Sequence, residues 1–355
     1  MGRMGDVSRE LLDWYDRHAR AMAWRVGPAA RKAGERPDPY GVWLSEVMLQ
    51  QTTVAAVKPY WERFRARWPS IGALAAAEDG EVMAMWAGLG YYARARNLLA
   101  CARAVAARGG FPETEAELLR LPGIGPYTAA AIAAICFDEA AVVVDGNVER
   151  VMARLHAVKE ELPGARRRLR ALAAEETPAE RPGDYAQAVM DLGATICTPR
   201  SPACGICPLM GMCAARRLGI AAELPRKAPK GDRPLRRAVF WIARRPDGAW
   251  LMERRPPKGM LGGTLGWPTT TWAEAPEGTP PLEADWRDAG TVSHGFTHFL
   301  LEAEVRVGSA SGEAGRGFWV PAAGFDPAAL PTLMRRAHER AAETLGHCAE
   351  DPGTV

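Results

Sequence analysis

From residue 8 to about residue 220, Leu, Ala, Met and Trp recur at three- and four-residue steps with Arg and Glu between them. That is the step of helices burying one face. The spacing predicts helices over residues 46–60, 74–86, 94–107 and 128–136. The breaks fall at Pro and Gly: Pro69, then 88–90, 109–110, 122–126, Gly146 and 182–183. Residues 26–38 are polar and rich in Gly, Pro, Arg and Lys, which predicts a loop. Past residue 224 the step changes. The stretch LPRKAPKGDRP is basic and proline-rich, as in a semi-extended linker. Short alternating runs then predict strands at 237–243, 249–254, 300–307 and 317–321, before a closing helix over 330–345. The pattern thus predicts a multidomain chain: an all-α region over 1–224, a linker at 225–234, and an α+β region over 235–355.

Composition refines this picture little. The chain has 355 residues, which suggests two or three domains, and 48% hydrophobic content is ample for their cores. A net charge of only +3 does not announce a nucleic-acid binder, so any basic surface must be local. Residues 1–20 carry charges throughout and hold no apolar signal core. The most apolar run, 129–144, is interrupted by Asp138 and Glu139 and is too short to span a bilayer. No membrane association is expected. With no export signal, a reducing cytoplasm is the expected setting.

Cysteine placement changes the picture. Four of the seven cysteines, Cys197, Cys204, Cys207 and Cys213, lie within seventeen residues, spaced C-x6-C-x2-C-x5-C. Cys101, Cys136 and Cys348 are scattered. Zinc sites usually repeat a short C-x2-C unit, and only Cys204 and Cys207 form one. An iron–sulfur cube tolerates unequal loops between its thiolates. A disulfide pair or a zinc knuckle is the alternative.

Two further motifs carry chemistry. In LPGIGPYT (121–128), Gly123 and Gly125 allow a turn where side chains would clash, and Pro126 suits the first position of the next helix. Such a turn presents backbone N–H groups and a positive helix end to an anion such as a DNA phosphate; an ordinary connection between helices is the alternative. Glu46 opens SEVMLQQT at the expected start of a helix, followed by Val47, Met48 and Leu49. A carboxyl among apolar groups resists ionisation and can donate a proton near neutral pH. Asp145, in VDGNVERV, follows an apolar run and precedes a helix expected near Asn147. Two carboxylates in different surroundings suit glycosidic cleavage, in which the leaving group gains a proton and the sugar cation meets an anion. Helix capping is the plainer role for each.

The cysteine spacing resembles the cluster loop of the endonuclease III superfamily, and LPGIGPYT its helix–hairpin–helix. SEVMLQQT and VDGNVERV, with that hairpin between them, resemble the MutY family of adenine DNA glycosylases from Trp24 to Cys213. The resemblance implies an all-α helix-hairpin-helix glycosylase with an Fe-S cluster loop, its core over about 37–150. An Fe-S subdomain would combine the N-terminal helix with about 151–224. One [4Fe-4S] cluster would sit on the four cysteines, and a monovalent cation at the hairpin turn. Glu46 would protonate adenine, and Asp145 would stabilise or attack the sugar cation. Tyr127 and Asn147 would orient these groups and the water. Relatives that also cut the strand carry a Schiff-base lysine at position 127, so Tyr127 implies a glycosylase that stops after base removal.

By the same resemblance Gln51 fills the stack near the vacated base, Leu49 lies at the substrate, and Trp24, Arg25 and Gln187 line the adenine pocket. Tyr91, in GLGYYARAR, would wedge beside the opposite base; core aromatics beside a charged face are the alternative. Arg200, between the first two cysteines, would meet phosphate. The arginines and lysine at 31, 32 and 36 suit either DNA contact or a solvated loop. The α+β region resembles a Nudix-like domain, without the G-x5-E-x7-R-E-x2-E-E string of Nudix hydrolases. Its Phe296-Thr297-His298 matches a Phe-Ser-His loop that senses 8-oxoguanine, with Thr in place of Ser. The implied partner is double-stranded DNA carrying 8-oxoguanine:adenine or guanine:adenine, met by a monomer in a bacterial-type cytoplasm, at the nucleoid. Rival readings are a thymine or uracil mismatch glycosylase, a non-catalytic Fe-S DNA-binding protein, and a Nudix-type nucleotide hydrolase.

Overall fold

The computed structural model describes residues 6–229, 231–256, 259–310 and 312–347; Cys348 lies outside them. Contacts divide the chain into two compact units. One takes the chain up to Ala77 and from Asn97 to Lys230; the other takes Glu78–Arg96 and everything from Gly231 on. The sequence pattern offers no reason to separate Glu78–Arg96 from the helices around it. The grouping reflects long-range contacts, among them the Arg96 guanidinium bonded to the Gly262 carbonyl.

The first unit is helical. It opens with α1 (Asp6–His18), α2 (Pro28–Lys32), α3 (Pro39–Leu49), α4 (Val54–Arg67) and α5 (Ile71–Ala75). Asp38 starts α3 by accepting from the Tyr40 and Gly41 amides, with Pro39 in the first turn. Glu46 therefore lies in the last turn of α3, not at a helix start. The helix expected over 46–60 is two helices. Gln51 takes a left-handed φ of 58°, and Thr53 caps α4 through the Ala56 amide. Such a cap contributes about 1 kcal/mol, so the chain re-nucleates rather than continuing. The 74–86 helix likewise divides into α5 and, in the second unit, α6 (Asp79–Met85).

Next come α7 (Ala93–Ala107), which belongs to this unit from Asn97 on, α8 (Glu115–Leu118), α9 (Pro126–Phe137), α10 (Gly146–Leu155), α11 (Arg166–Glu176), α12 (Pro182–Thr195) and α13 (Ala214–Arg217). Residues 128–136 of α9 are all buried, as in a helix at the centre of a core. Leu11 and Tyr15 of α1, Val151 and Leu155 of α10, Leu169 of α11 and Val189 and Leu192 of α12 share one core, with the four clustered cysteines packed against it.

The predicted loop at 26–38 contains α2, and its cations are paired: the Arg31 side chain is mostly buried, while Lys32 and Arg36 stay largely exposed to solvent. Arg31 and Arg36 both pair with Asp138, at 2.5 and 2.6 Å, and Lys32 pairs with Asp16 at 2.6 Å. These bonds tie the loop to α1 and to the end of α9.

The second unit is a six-stranded sheet in the order β3-β2-β1-β5-β4, with β6 on β2. Its strands are β1 (Leu235–Arg244), β2 (Trp250–Arg254), β3 (Leu265–Gly266), β4 (Arg287–Gly295), β5 (Leu300–Ser309) and β6 (Phe318–Val320). β1 and β5 run parallel, from Leu235 opposite Leu300 to Arg244 opposite Ser309. α14 (Thr332–His347) packs its Leu333, Met334, Ala337 and Ala341 into the core around Phe240, Trp250, Trp267 and Val305. β4 escaped the sequence pattern because it is polar and mostly exposed, with Val292 its one buried residue. It is a strand because antiparallel β5 supplies its hydrogen-bond partners. Among the described residues no helix is long and apolar enough to cross a membrane.

Candidate active site

Glu46 is 7% exposed, held among the buried neighbours of α3. The Tyr127 hydroxyl, from the first turn of α9, donates to its Oε2 at 2.7 Å. Burial pushes the Glu46 carboxyl above its ordinary value, and the charge of Asp145 adds to this. The Tyr127 hydrogen bond and the charge of Arg25 pull the other way. Burial, with Glu46 and Asp145 nearby, pushes the Tyr127 hydroxyl well up. Tyr127 therefore stays a donor, and Glu46 is a carboxyl held in place in surroundings that favour its proton-bearing form.

Asp145 caps α10. Its Oδ1 accepts from the Asn147 and Val148 amides at 2.9 and 2.8 Å, and its Oδ2 from Asn147 Nδ2 at 2.7 Å. The capping role and the chemical role coincide. Three donors and the positive helix end surround a carboxylate suited to facing a sugar cation. Asn147 is held in turn: its Oδ1 accepts from Arg150 Nη2 at 2.8 Å, and Arg150 Nε donates to the Cys197 carbonyl at 2.7 Å. A line of hydrogen bonds thus runs from the first clustered cysteine to Asp145. Gly193 of α12 leaves room for it, since a Cβ there would lie 2.6 Å from Asn147 Cβ.

Of the residues expected to line the adenine pocket, Arg25 is the one whose charge acts on Glu46. Trp24 is buried, its ring 5.8 Å from that of Trp61. Arg25 is nearly buried and bonds Asp191. Gln187 is buried on α12, its amide donating to the Gly183 carbonyl. Leu49 is half-buried at the end of α3, and Gln51 is exposed in its left-handed turn. The sequence reading missed Arg150 and Asp191; an acid inside the apolar run of α12 was the available signal for the second.

In the hairpin, Gly123 has φ 72°, and a Cβ there would come within 2.5 Å of Asn97 Cβ. Gly125 departs from the expectation: its φ is −94° and a Cβ would meet nothing. Its use is as the cap residue before Pro126, where a bare backbone keeps the helix end open to an anion.

Tyr91 and the 296–298 stretch belong to the second unit. Tyr91 is 52% exposed with φ 49°, while Tyr92 is buried. Arg94 donates to the Leu89 carbonyl at 3.1 Å and lies over the Tyr91 ring, which holds this turn in shape. Phe296 and Phe299 are buried and stacked at 4.8 Å between β4 and β5, and the Phe296 amide donates to the Phe299 carbonyl. Thr297 and His298 stand exposed at the tip. Phe296 is thus the anchor of the tip rather than part of its contact surface.

The four cysteines face one recess, shared with Arg154, Ile196, Met210 and Arg216. Among the described residues no three His, Cys, Asp or Glu side chains converge on a single ion. A cube takes one thiolate at each iron, so its ligands stand farther apart than those of one zinc. Four thiols lining one recess are a donor set that fits a cube. Arg154, 2% exposed, spans the loop, donating to the Thr198 and Pro199 carbonyls at 2.8 Å and to Cys197 Sγ at 3.2 Å. Arg200 is exposed on that loop.

Residues 44–175 match the HhH-GPD superfamily of base excision DNA repair proteins. Residues 197–213 match the iron-sulfur binding domain of endonuclease III, and 239–340 the NUDIX domain. The adenine DNA glycosylase of Homo sapiens is 34% identical, over 92% of this chain and 72% of that one. The adenine DNA glycosylase of Mycolicibacterium smegmatis is 41% identical, over 60% of this chain and 70% of that one. Among solved structures, a thermostable thymine-DNA glycosylase superposes with a TM-score of 0.53 at 27% identity, over 61% of this chain and 97% of that one.

Proposed function

The chain belongs to the adenine DNA glycosylase family, and from that premise we propose that it removes adenine paired with 8-oxoguanine or guanine and leaves the strand uncut. It is a base-excision-repair glycosylase that hydrolyses the N-glycosidic bond of adenine. It carries one [4Fe-4S] cluster on Cys197, Cys204, Cys207 and Cys213. The observation that carries the mechanism is a buried glutamate bonded by Tyr127, in the field of a carboxylate that caps a helix.

Adenine is flipped from the duplex at a cost of a few kcal/mol. Glu46 gives its proton to N7 of the base, and the C1′–N9 bond breaks with its electron pair leaving on adenine. Asp145 faces the positive charge left on the sugar, either as a counter-anion or by a transient bond to C1′. Water then adds to C1′, displacing Asp145 where that bond has formed, and passes its proton to the Glu46 carboxylate, which leaves an abasic site. Tyr127 fixes the direction of the Glu46 proton, and Asn147 fixes Asp145. Trp24, Arg25, Leu49 and Gln187 shape the base pocket, and Gln51 and Tyr91 enter the stack from their left-handed turns. With a tyrosine at position 127 no amine forms a Schiff base, so the reaction stops at base removal.

Hydrolysis moves no electron; the cluster supplies a rigid pin for the loop that presents Arg200 to phosphate. The hairpin amides around Gly123 and Gly125 hold a second phosphate, with a monovalent cation in the turn. Thr297 and His298 read the opposite base, whose oxidation turns N7 from acceptor to donor. The protein acts as a monomer on DNA in the cytoplasm. The test is single-turnover release of free base from duplexes carrying adenine opposite 8-oxoguanine or guanine, and thymine or uracil opposite guanine. Parallel samples are treated with alkali to reveal abasic sites. Adenine release with strand breaks only after alkali is expected; release of thymine or uracil instead, or breaks without alkali, overturns the reading.

A further inference from the structure

Asp191 lies in the middle of α12 and is fully buried. Both of its oxygens accept from Arg25 Nη1, each at 2.9 Å. Arg20 completes the set: its Nε donates to Oδ1 at 2.6 Å and its backbone amide to Oδ2 at 3.0 Å. A buried carboxylate with this many donors holds its partners in place, and removing it leaves a buried cation uncompensated. The partner that matters is Arg25. The charged and titratable groups that act on Glu46 are Tyr127 from α9, Arg25 from the segment after α1, and Asp145 at the start of α10. Asp191 reaches that pocket through the arginine, and no bond in this set uses Arg25 Nη2.

We propose that Asp191 is a positioning residue of the active site: it fixes the direction of the Arg25 guanidinium toward the pocket and offsets its charge there. The proposal rests on the reading of Glu46 as proton donor. Among the described residues Arg25 is the cation that acts on Glu46, and it opposes the burial that favours the protonated carboxyl. With Asp191 in place the cation is half of an ion pair, and its pull on the Glu46 proton is weakened. Without Asp191 the full charge acts on the acid, in a pocket where little water screens it.

The experiment is the pH profile of single-turnover adenine release for the whole, cluster-bearing protein and its variants. The wild-type rate falls as pH rises and Glu46 loses its proton. In Asp191→Asn this alkaline limb is expected to move about one pH unit toward acid, which makes the rate on the limb roughly tenfold lower at fixed pH. Asp191→Glu is expected to keep the wild-type limb. Arg25→Met is expected to move the limb toward alkali, and it serves alone if Asp191→Asn does not fold. Arg25→Met/Asp191→Asn is expected to return most of the way. A purely structural Asp191 lowers the rate equally at every pH. That result, or a limb moved toward alkali in Asp191→Asn, overturns the proposal. A wild-type profile with no alkaline limb, or near wild-type rates in Glu46→Gln, overturns the reading of Glu46 instead.

Discussion

The pocket around Glu46 and the tip at Thr297–His298 are built in opposite ways. Glu46 sits in a helix buried on all sides, its oxygen tied to Tyr127, with the nearby charges of Arg25 and Asp145 each held by further bonds. Thr297 and His298 are exposed at a turn between two strands, and only the stacked Phe296 and Phe299 below them are buried. Proton transfer needs a displaced pKa, and displacement needs the exclusion of water. Reading a base edge needs polar groups that reach outward. On the proposed function, one protein meets both demands with the acid in a core and the base-reading groups on a loop. Mutation should therefore act on rate at the first place and on selectivity at the second.

The hardest test of this contrast is Glu46→Gln. Loss of a general acid should lower single-turnover adenine release by roughly 10²–10⁴-fold, with affinity for the lesion duplex kept. Equal loss on every adenine mispair is expected, because the acid does not see the opposite base. Next in size is Thr297→Ala. If the hydroxyl reads the opposite base, its loss should reduce the preference for 8-oxoguanine over guanine by about 1–3 kcal/mol, the worth of a good polar contact to a base edge. The measurement is the ratio of the two affinities, and Thr297→Ser should keep it. A uniform loss on both duplexes would erase the distinction between the two regions.

Gly123→Ala probes the hairpin. A left-handed non-glycine costs roughly 1–2 kcal/mol, and the new methyl would meet Asn97. A thermal melt should register the strain, and DNA affinity should fall without any change in opposite-base preference. The smallest effect sharpens the account of Glu46 itself. Its folded-state pKa lies above the usual 4.5, so the folded state holds this proton more tightly than the unfolded chain. Its contribution is full below 4.5 and is lost as pH rises through the folded value. Glu46→Gln should therefore match the wild type in acid and melt higher than it at alkaline pH. Parallel curves across that range would mean that Glu46 is not displaced upward.

Local strings determined much of this protein. The cysteine spacing, the LPGIGPYT hairpin and the placement of Glu46 and Asp145 in motifs were legible without any fold. Each depends on near neighbours: a glycine at a positive φ, a proline at a helix start, thiols a few residues apart. Hydropathy likewise separated a helical region from a sheet. What only the tertiary structure decided was which distant groups meet. Asp191 meets Arg25 across 166 positions, Arg150 meets the Cys197 carbonyl across 47, and Arg31 meets Asp138 across 107. With 45 basic and 42 acidic residues, the chain offers far too many ion pairs for sequence to choose among. Polar β4 became a strand only because β5 lay beside it. Backbone preference is a short-range property and travels with the residue. A charge partner or a strand neighbour is a property of the folded packing, and it exists only once the chain has closed on itself.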